Sequence, residues 1–290
     1  MALRRDARLA GMSLLFEHVT VVDSVGEREA MVRELGHTSE PLVVSFINAH
    51  AANLAWSDQA FRAALSSSDV LFRDGIGMAI ALPGLGLEPG MNLNGTDLIP
   101  DILRAHAHRS IALAGSTSAC AEEAANRLRT QLNCRVIAAI DGFRTDDTYS
   151  VWAHSHRPEV IVLGMGMPKQ ERLALRLRSE LDHPCLIING GAVLDFLAGR
   201  VDRAPCWARA ARMEWVYRLV HEPRRLWRRY ILGNPLFLLR ALRVSVWRHL
   251  HSGRGWLWRS DGRVDSSRPH ARLKRSVRLA RRTATTERVT

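Results

Sequence analysis

Asp74 ends the stretch Val70-Leu71-Phe72-Arg73-Asp74-Gly75-Ile76-Gly77, a carboxylate set directly after a short apolar run and before two glycines. Val70 to Phe72 read as a buried strand, and Gly75 and Gly77 let the backbone turn tightly and approach a ligand. Ligands of open α/β sheets bind outside the carboxyl ends of the strands, so a carboxylate here is placed for proton transfer with a bound molecule. The competing reading is structural: an aspartate that caps a helix or closes a turn.

Other apparent strand ends also carry small or polar groups. Ser45-Phe46-Ile47-Asn48-Ala49-His50 closes in Asn48 and His50, and Leu113-Ala114-Gly115-Ser116-Thr117 closes in a turn that opens a helix. Backbone N–H groups at the Gly115 turn can hold phosphate, with an ordinary cap by Ser116 or Thr117 as the alternative. In Val162-Leu163-Gly164-Met165-Gly166-Met167-Pro168-Lys169-Gln170-Glu171, two glycines precede a proline suited to the first helical position, with Lys169 and Gln170 in the opening turn. The third glycine of a dinucleotide fingerprint is missing. Lys169 is one of only two lysines in the chain, which suggests a position that arginine would not serve.

Short apolar runs at 42–47, 70–72, 111–114, 135–140, 160–163 and 186–188 predict the strands that position these groups. Helix-like stretches at 51–65, 96–106, 117–132, 148–156 and 168–181 alternate with them, and 13–22 reads as an added edge strand or hairpin. The alternation predicts an α/β fold, a Rossmann-like mostly parallel sheet with helices on both faces, over residues 1–199. A 290-residue chain with 47% hydrophobic content can build one large domain plus an appendage.

Charge divides the chain at the same point. Of 41 Lys+Arg and 29 Asp+Glu, residues 200–290 hold 23 and 6, a net +17, which leaves −5 on residues 1–199. Six of the eight tryptophans also lie beyond residue 200. Arginine interleaved with tryptophan suits an anionic membrane surface, where cations meet headgroups and indoles sit at the interface. It also suits nucleic acid, or a solvated basic face with no partner. Residues 200–250 therefore read as a basic helical appendage and 251–290 as a basic, disordered tail. No run of about 18 uncharged apolar residues predicts a spanning helix, and the segment after Arg4 and Arg5 lacks a secretory h-region. Cys120, Cys134, Cys185 and Cys206 are widely spaced, as in a protein of a reducing cytoplasm, and neither they nor the histidines form a metal-ligand pattern.

Taken in order, Asn48, Asp74-Gly75-Ile76-Gly77, Gly95-Thr96-Asp97-Leu98, Gly164 through Glu171, Gly190-Gly191 through Asp195, Arg203-Ala204-Pro205, Glu214-Trp215 with Tyr217-Arg218, and Glu222-Pro223-Arg224-Arg225 resemble the bacterial WecG/TagA/CpsF glycosyltransferase family, over roughly residues 40–232. The resemblance implies an inverting transferase on the inner face of the cell membrane that moves a sugar, often N-acetylmannosamine, from a UDP-sugar to a glycan on a polyprenyl diphosphate. It places Asp74 on the family's proposed base and Asn48 and Gln170 on substrate contacts. It places Arg218, Arg225 and Arg228 on appendage arginines that complete the site. Gly75, Gly77, Gly95, Asp97, Gly115, Gly164, Gly166 and Lys169 are the further substrate-binding candidates. One departure is Phe46, where the family often has Thr.

The residues support the same chemistry. Inverting transfer needs one base for the acceptor hydroxyl and charge stabilisation on the departing diphosphate. No Asp-x-Asp metal motif occurs, so arginines are expected to balance the diphosphate without a metal or other cofactor. Arg218, Arg225 and Arg228 would share one face of a continuous helix, with Pro223 as a candidate break. A nucleotide-cofactor oxidoreductase would need a full glycine fingerprint, and a nucleic-acid-binding protein would leave the Asp74 turn unexplained. The expected partners are therefore the sugar donor, the lipid-linked acceptor and an anionic membrane, without nucleic acid; homo-oligomerisation is left open.

Overall fold

The computed structural model describes residues 2–201, 203–205, 207 and 213–252, with the side chains of residues 2–5, 225 and 252 outside that description. Six strands, β1 Leu42–Ile47, β2 Val70–Arg73, β3 Ile111–Gly115, β4 Val136–Ile140, β5 Val160–Gly164 and β6 Leu186–Asn189, form one sheet in the order β2-β1-β6-β5-β3-β4. Every pairing is parallel. α1 Ala2–Glu17 and α2 Val25–Glu34 precede β1; the crossovers that parallel neighbours need come from α3 Ala49–Ser57, α4 Gln59–Ser66, α5 Ile76–Gly84, α6 Gly95–Ala105, α7 Ser118–Leu132, α8 Asp146–His156 and α9 Lys169–Glu180; and α10 Val193–Leu197 follows β6. Beyond them come α11 Glu214–His221, α12 Pro223–Trp227, a π-turn at Arg228–Leu232 and α13 Gly233–Ser252.

The strands are mostly apolar because both sheet faces are covered, with Ser45, Arg73 and Asn189 as buried polar exceptions. Val44, Phe46, Leu113 and Ile188 pack with residues of α2, α6, α7 and α10 on one face. On the other, Val43, Ile161 and Ile187 meet α8 and α9, while Ile47 and Leu71 meet α3 and α4. An outer layer covers α3 and α4: Met12, Leu15 and Phe16 of α1 pack with Phe237, Ala241 and Val244 of α13 in one cluster. Phe237 is fully buried edge-on to Phe16, centroids 6.4 Å apart, and burying such a ring contributes on the order of 2 kcal/mol. α13 thus seats the basic C-terminal segment on the α/β core.

Three expectations need correction. Residues 13–22 are not an edge strand: α1 runs to Glu17, and only Thr20 makes an isolated bridge to Phe72. Leu9, Met12, Phe16 and Val19 are buried at helical spacing, so the period was 3.6 rather than 2. The helix expected over 51–65 is two helices, because Asp58 ends α3 in extended backbone and its carboxylate accepts the Phe61 N–H at 2.9 Å. Pro168 is the N-cap of α9 rather than its first residue, after a cis peptide. The tail expected over 251–290 lies, from residue 253 onward, outside the described residues.

Candidate active site

β1 and β2 are adjacent, and their carboxyl ends bring Asn48 and Asp74 together. Asp74 is fixed first by its backbone, whose N–H donates to the Ile47 carbonyl at 2.9 Å. Asn48 Oδ1 accepts the Ala51 N–H at 3.0 Å and so caps α3, which leaves the amide nitrogen to donate to Asp74 Oδ2 at 3.1 Å. One side chain therefore starts a helix and orients a carboxylate. Gly75 follows at φ +84°, a conformation that costs a residue with a Cβ but not glycine, and α5 starts with no side-chain cap. Gly75, Ile76 and Gly77, at the start of α5, line the space beside Asp74.

That space is a cleft of about 450 Å³ lined by Asn48, Asp74 and the first turn of α5, by Asn92, Asn94 and Thr96, and by the appendage. The loop before α6 is tied down by Arg73, which is buried and donates to the carbonyls of Pro89 at 2.7 Å and Gly90 at 2.8 Å. Asn92 Oδ1 accepts the Gly75 N–H at 2.8 Å. The opposite wall comes from Glu214, Trp215 and Arg218 of α11 and from Arg229, Tyr230 and Asn234. Trp215 and Tyr230 meet edge to face, with centroids 6.0 Å apart. Arg218 lies 5.5 Å from the Phe196 ring, and its buried Nε has no hydrogen-bond partner among the described residues.

Two further titratable groups share the cleft. Burial, and then the charge of Arg229, hold His50 down at about 4, so its imidazole is neutral at ordinary pH. Burial pushes the Glu214 carboxyl up, opposed by Arg203 and reinforced by Asp74. Among the described residues no group of three or more His, Cys, Asp or Glu is placed to hold a metal ion.

Gly75 and Gly77 line the cleft with Asn48, Asp74 and Arg218, whereas the other sequence candidates lie elsewhere, and most have structural partners. Gly77 packs at the α3–α13 contact, where a Cβ would come within 3.3 Å of Ala49 and 3.6 Å of the Phe237 ring. Gly95 sits against Phe46 and Ile99, and Asp97 bonds to Asn94 and pairs with Arg203. Gly115 and Gly164 allow β3 and β5 to touch, since a Cβ on Gly115 would stand 2.3 Å from the Gly164 oxygen. The Gly115 turn is spent on capping: Thr117 accepts the Cys120 N–H, and Ser116 donates to Asp195 at 2.9 Å. Gln170 is buried, and its Oε1 accepts from the N–H groups of Gly166 and Gly191 at 3.1 and 3.0 Å, bracing the ends of β5 and β6. Lys169 donates to the carbonyls of Gly142 and Arg144 at 2.9 and 3.0 Å. Two diverging single bonds suit a compact ammonium better than a planar fork.

In the appendage, the continuous helix is interrupted. α11 ends at Glu222 and Pro223 restarts the chain, so Arg228 is exposed beside Trp227 while its neighbour Arg229 lines the cleft. The Arg225 side chain lies outside the described residues. Sequence reasoning missed Arg229, Asn92, Asn94, Tyr230 and Asn234, none of which has a local pattern that separates it from a cap or a surface residue, and it did not single out Thr96 or Glu214 although both stand in motifs that carry the family resemblance.

A family model described as Glycosyl transferase WecG/TagA/CpsF family matches residues 13–251. The chain belongs to this family. As a WecG/TagA/CpsF member it is a glycosyltransferase. It is 26% identical over 208 residues to proteins of Staphylococcus aureus strains MRSA252, MW2 and NCTC 8325 named N-acetylglucosaminyldiphosphoundecaprenol N-acetyl-beta-D-mannosaminyltransferase, covering 70% of this chain and 81% of theirs. The family match includes α13, which places the cleft's appendage wall inside the family's own extent. No helix among the described residues is long and apolar enough to cross a membrane.

Proposed function

We propose that this transferase moves a sugar, N-acetylmannosamine or a related hexose or uronic acid, from a UDP-sugar to a glycan on a polyprenyl diphosphate, with inversion, in the synthesis of a cell-surface polysaccharide. The observation that carries this reading is the Asn48–Asp74 pair, a half-buried carboxylate aimed by an amide that is itself fixed as a helix cap. Asp74 takes the proton of the acceptor hydroxyl as that oxygen attacks the anomeric carbon from the face opposite the nucleotide. The bond from that carbon to the diphosphate oxygen breaks, and its electron pair leaves with UDP. Arg218, Arg229 and the uncapped start of α5 balance the charge that develops there. Neutral His50 adds a hydrogen-bonding group without another charge, and Trp215 and Tyr230 offer an apolar wall to a sugar ring.

The acceptor assignment draws on the names of the staphylococcal relatives, and the membrane assignment on the +17 charge of residues 200–290. The protein would then work at the inner face of the cell membrane. The test is a panel of UDP-sugars incubated with lipid-linked N-acetylglucosamine, with products resolved by mass spectrometry and the anomeric configuration read by NMR. One donor giving an inverted, extended lipid supports the reading. Retention of configuration, or no transfer with tight DNA binding instead, would overturn it.

A further inference from the structure

Trp56 of α3 gathers two guanidinium groups that are far apart in sequence. Arg8 of α1 places Cζ 6.0 Å from the indole centroid, and Arg240 of α13 places it at 5.3 Å. Arg62 of α4 and Arg243 of α13 complete a cluster of four cations. Burial first, and then the charge of Arg8, depress the pKa of both Arg62 and Arg240, and Arg243 adds to the effect on Arg240. None of the four forms an ion pair among the described residues, and Asp58, the carboxylate nearest in effect to Arg62, is engaged by Arg172. Arg62 spends Nη1 on the Ala55 carbonyl at 2.8 Å, and Arg240 spends its own on Asn53 Oδ1 at 2.8 Å, so most of their donors stay uncommitted. Gathering like charges costs free energy that an anion would return.

The apolar surface beside this cluster indicates which anion. Opposite the buried Phe237, Ala241 and Val244, α13 turns Leu239, Leu242, Val246 and Leu250 outward, each more than half exposed and spaced three or four residues apart. Arg243 and Arg240 follow one flank of that ridge. Ile231 and Leu232, also exposed, carry the apolar surface from α13 toward Tyr230 and Asn234 at the cleft. A helix with an apolar outer stripe and arginines along its edge lies in a membrane interface.

We infer that this face is a phospholipid docking site, in which the Trp56 cluster takes the phosphate of an anionic headgroup while the α13 ridge enters the acyl boundary. The inference rests on the proposed membrane attachment and deepens it, because half of the site belongs to α1, α3 and α4 of the catalytic core rather than to the basic C-terminal third.

The test is flotation of the full chain with phosphatidylcholine vesicles, with and without phosphatidylglycerol. Arg8→Gln/Arg243→Gln removes two arginines that make no hydrogen bond among the described residues, and binding to the anionic vesicles should weaken about 30-fold at low salt. Turnover on a soluble acceptor analogue should stay at the wild-type level, which also shows that the variant folds and separates this inference from the catalytic reading. A matched-charge control, Arg33→Gln/Arg135→Gln, should bind as wild type does. Equal loss in the control, or no loss in the cluster variant, would overturn the inference. So would displacement from the vesicles by inorganic phosphate beyond the effect of chloride at equal ionic strength, which would assign the cluster to a soluble anion.

Discussion

Replacing Asn48 by Asp keeps the cap on α3, because Asp serves an N-cap as well as Asn does, but sets a second carboxylate against Asp74 in place of an N–H donor. At the present separation of 3.1 Å, two unit charges repel by roughly 5 kcal/mol at an effective dielectric of about 20 and by about 1.3 kcal/mol in water. The half-buried pair lies between these limits, so the second ionisation of the dyad should rise by about one to four pH units. If Asp74 must be ionised to act, the acid limb of kcat/KM for Asn48→Asp moves up by at least about one unit, and activity recovers on the alkaline side. Asn48→Ala, by contrast, loses the cap at a cost of about 1 kcal/mol and lowers the rate without an upward shift of that size. The assay is initial-rate turnover across pH at subsaturating donor, with melting curves to confirm folding. An unchanged acid limb in Asn48→Asp would refute the idea that this amide tunes the reacting carboxylate.

Three other outcomes are expected. Glu171 is buried, with Oε1 accepting from Gln170 at 2.9 Å and Oε2 without a partner among the described residues, and burial raises its carboxyl to about 7. The folded state therefore binds this proton more tightly than the unfolded chain does, so the stabilisation is full below the ordinary value of 4.5 and is lost as pH rises through 7, on the order of 3 kcal/mol in all. Glu171→Gln should flatten that loss in urea unfolding between about pH 5 and about pH 8, and an equal slope in both proteins would remove Glu171 as its source. Arg229→Gln should lower kcat/KM by about 10- to 1000-fold as a cleft charge is removed, whereas a loss below about threefold would exclude Arg229 from the site. Turnover should persist in excess EDTA, since the proposal gives the diphosphate to arginines; a complete loss restored by magnesium or manganese would contradict it.

The sheet was legible because strands buried on both faces are apolar almost without interruption, and 42–47, 111–114 and 160–163 coincide with β1, β3 and β5 to within one residue. Asp74 was legible for a related reason: a carboxylate at the end of such a run breaks the core pattern. α5 was hidden, since Ile76–Gly84 is almost wholly apolar with Pro83 in its last turn, and Gly75 and Gly77 suggested only a turn. Gln170 and Lys169 were visible as polar residues at a helix start, but sequence cannot tell a side chain aimed at a ligand from one that braces neighbouring loops. In the appendage, the break at Glu222 and the π-turn change the helical phase, so spacing from Arg218 did not identify Arg229 as the cleft residue. The outer layer of α1 and α13 depends on contacts more than 200 residues apart in sequence, such as Arg248 with Ser13 at 2.8 Å, which no local pattern records.

The central claim, that Asp74 is the base, is tested most directly by single-turnover kinetics of Asp74→Asn with a lipid-linked acceptor, alongside calorimetric binding of the donor. The substitution keeps shape and polarity but removes the proton acceptor, so the chemical step should slow by about two to four orders of magnitude while donor affinity stays within about threefold of wild type. A chemical step near the wild-type rate would contradict the account.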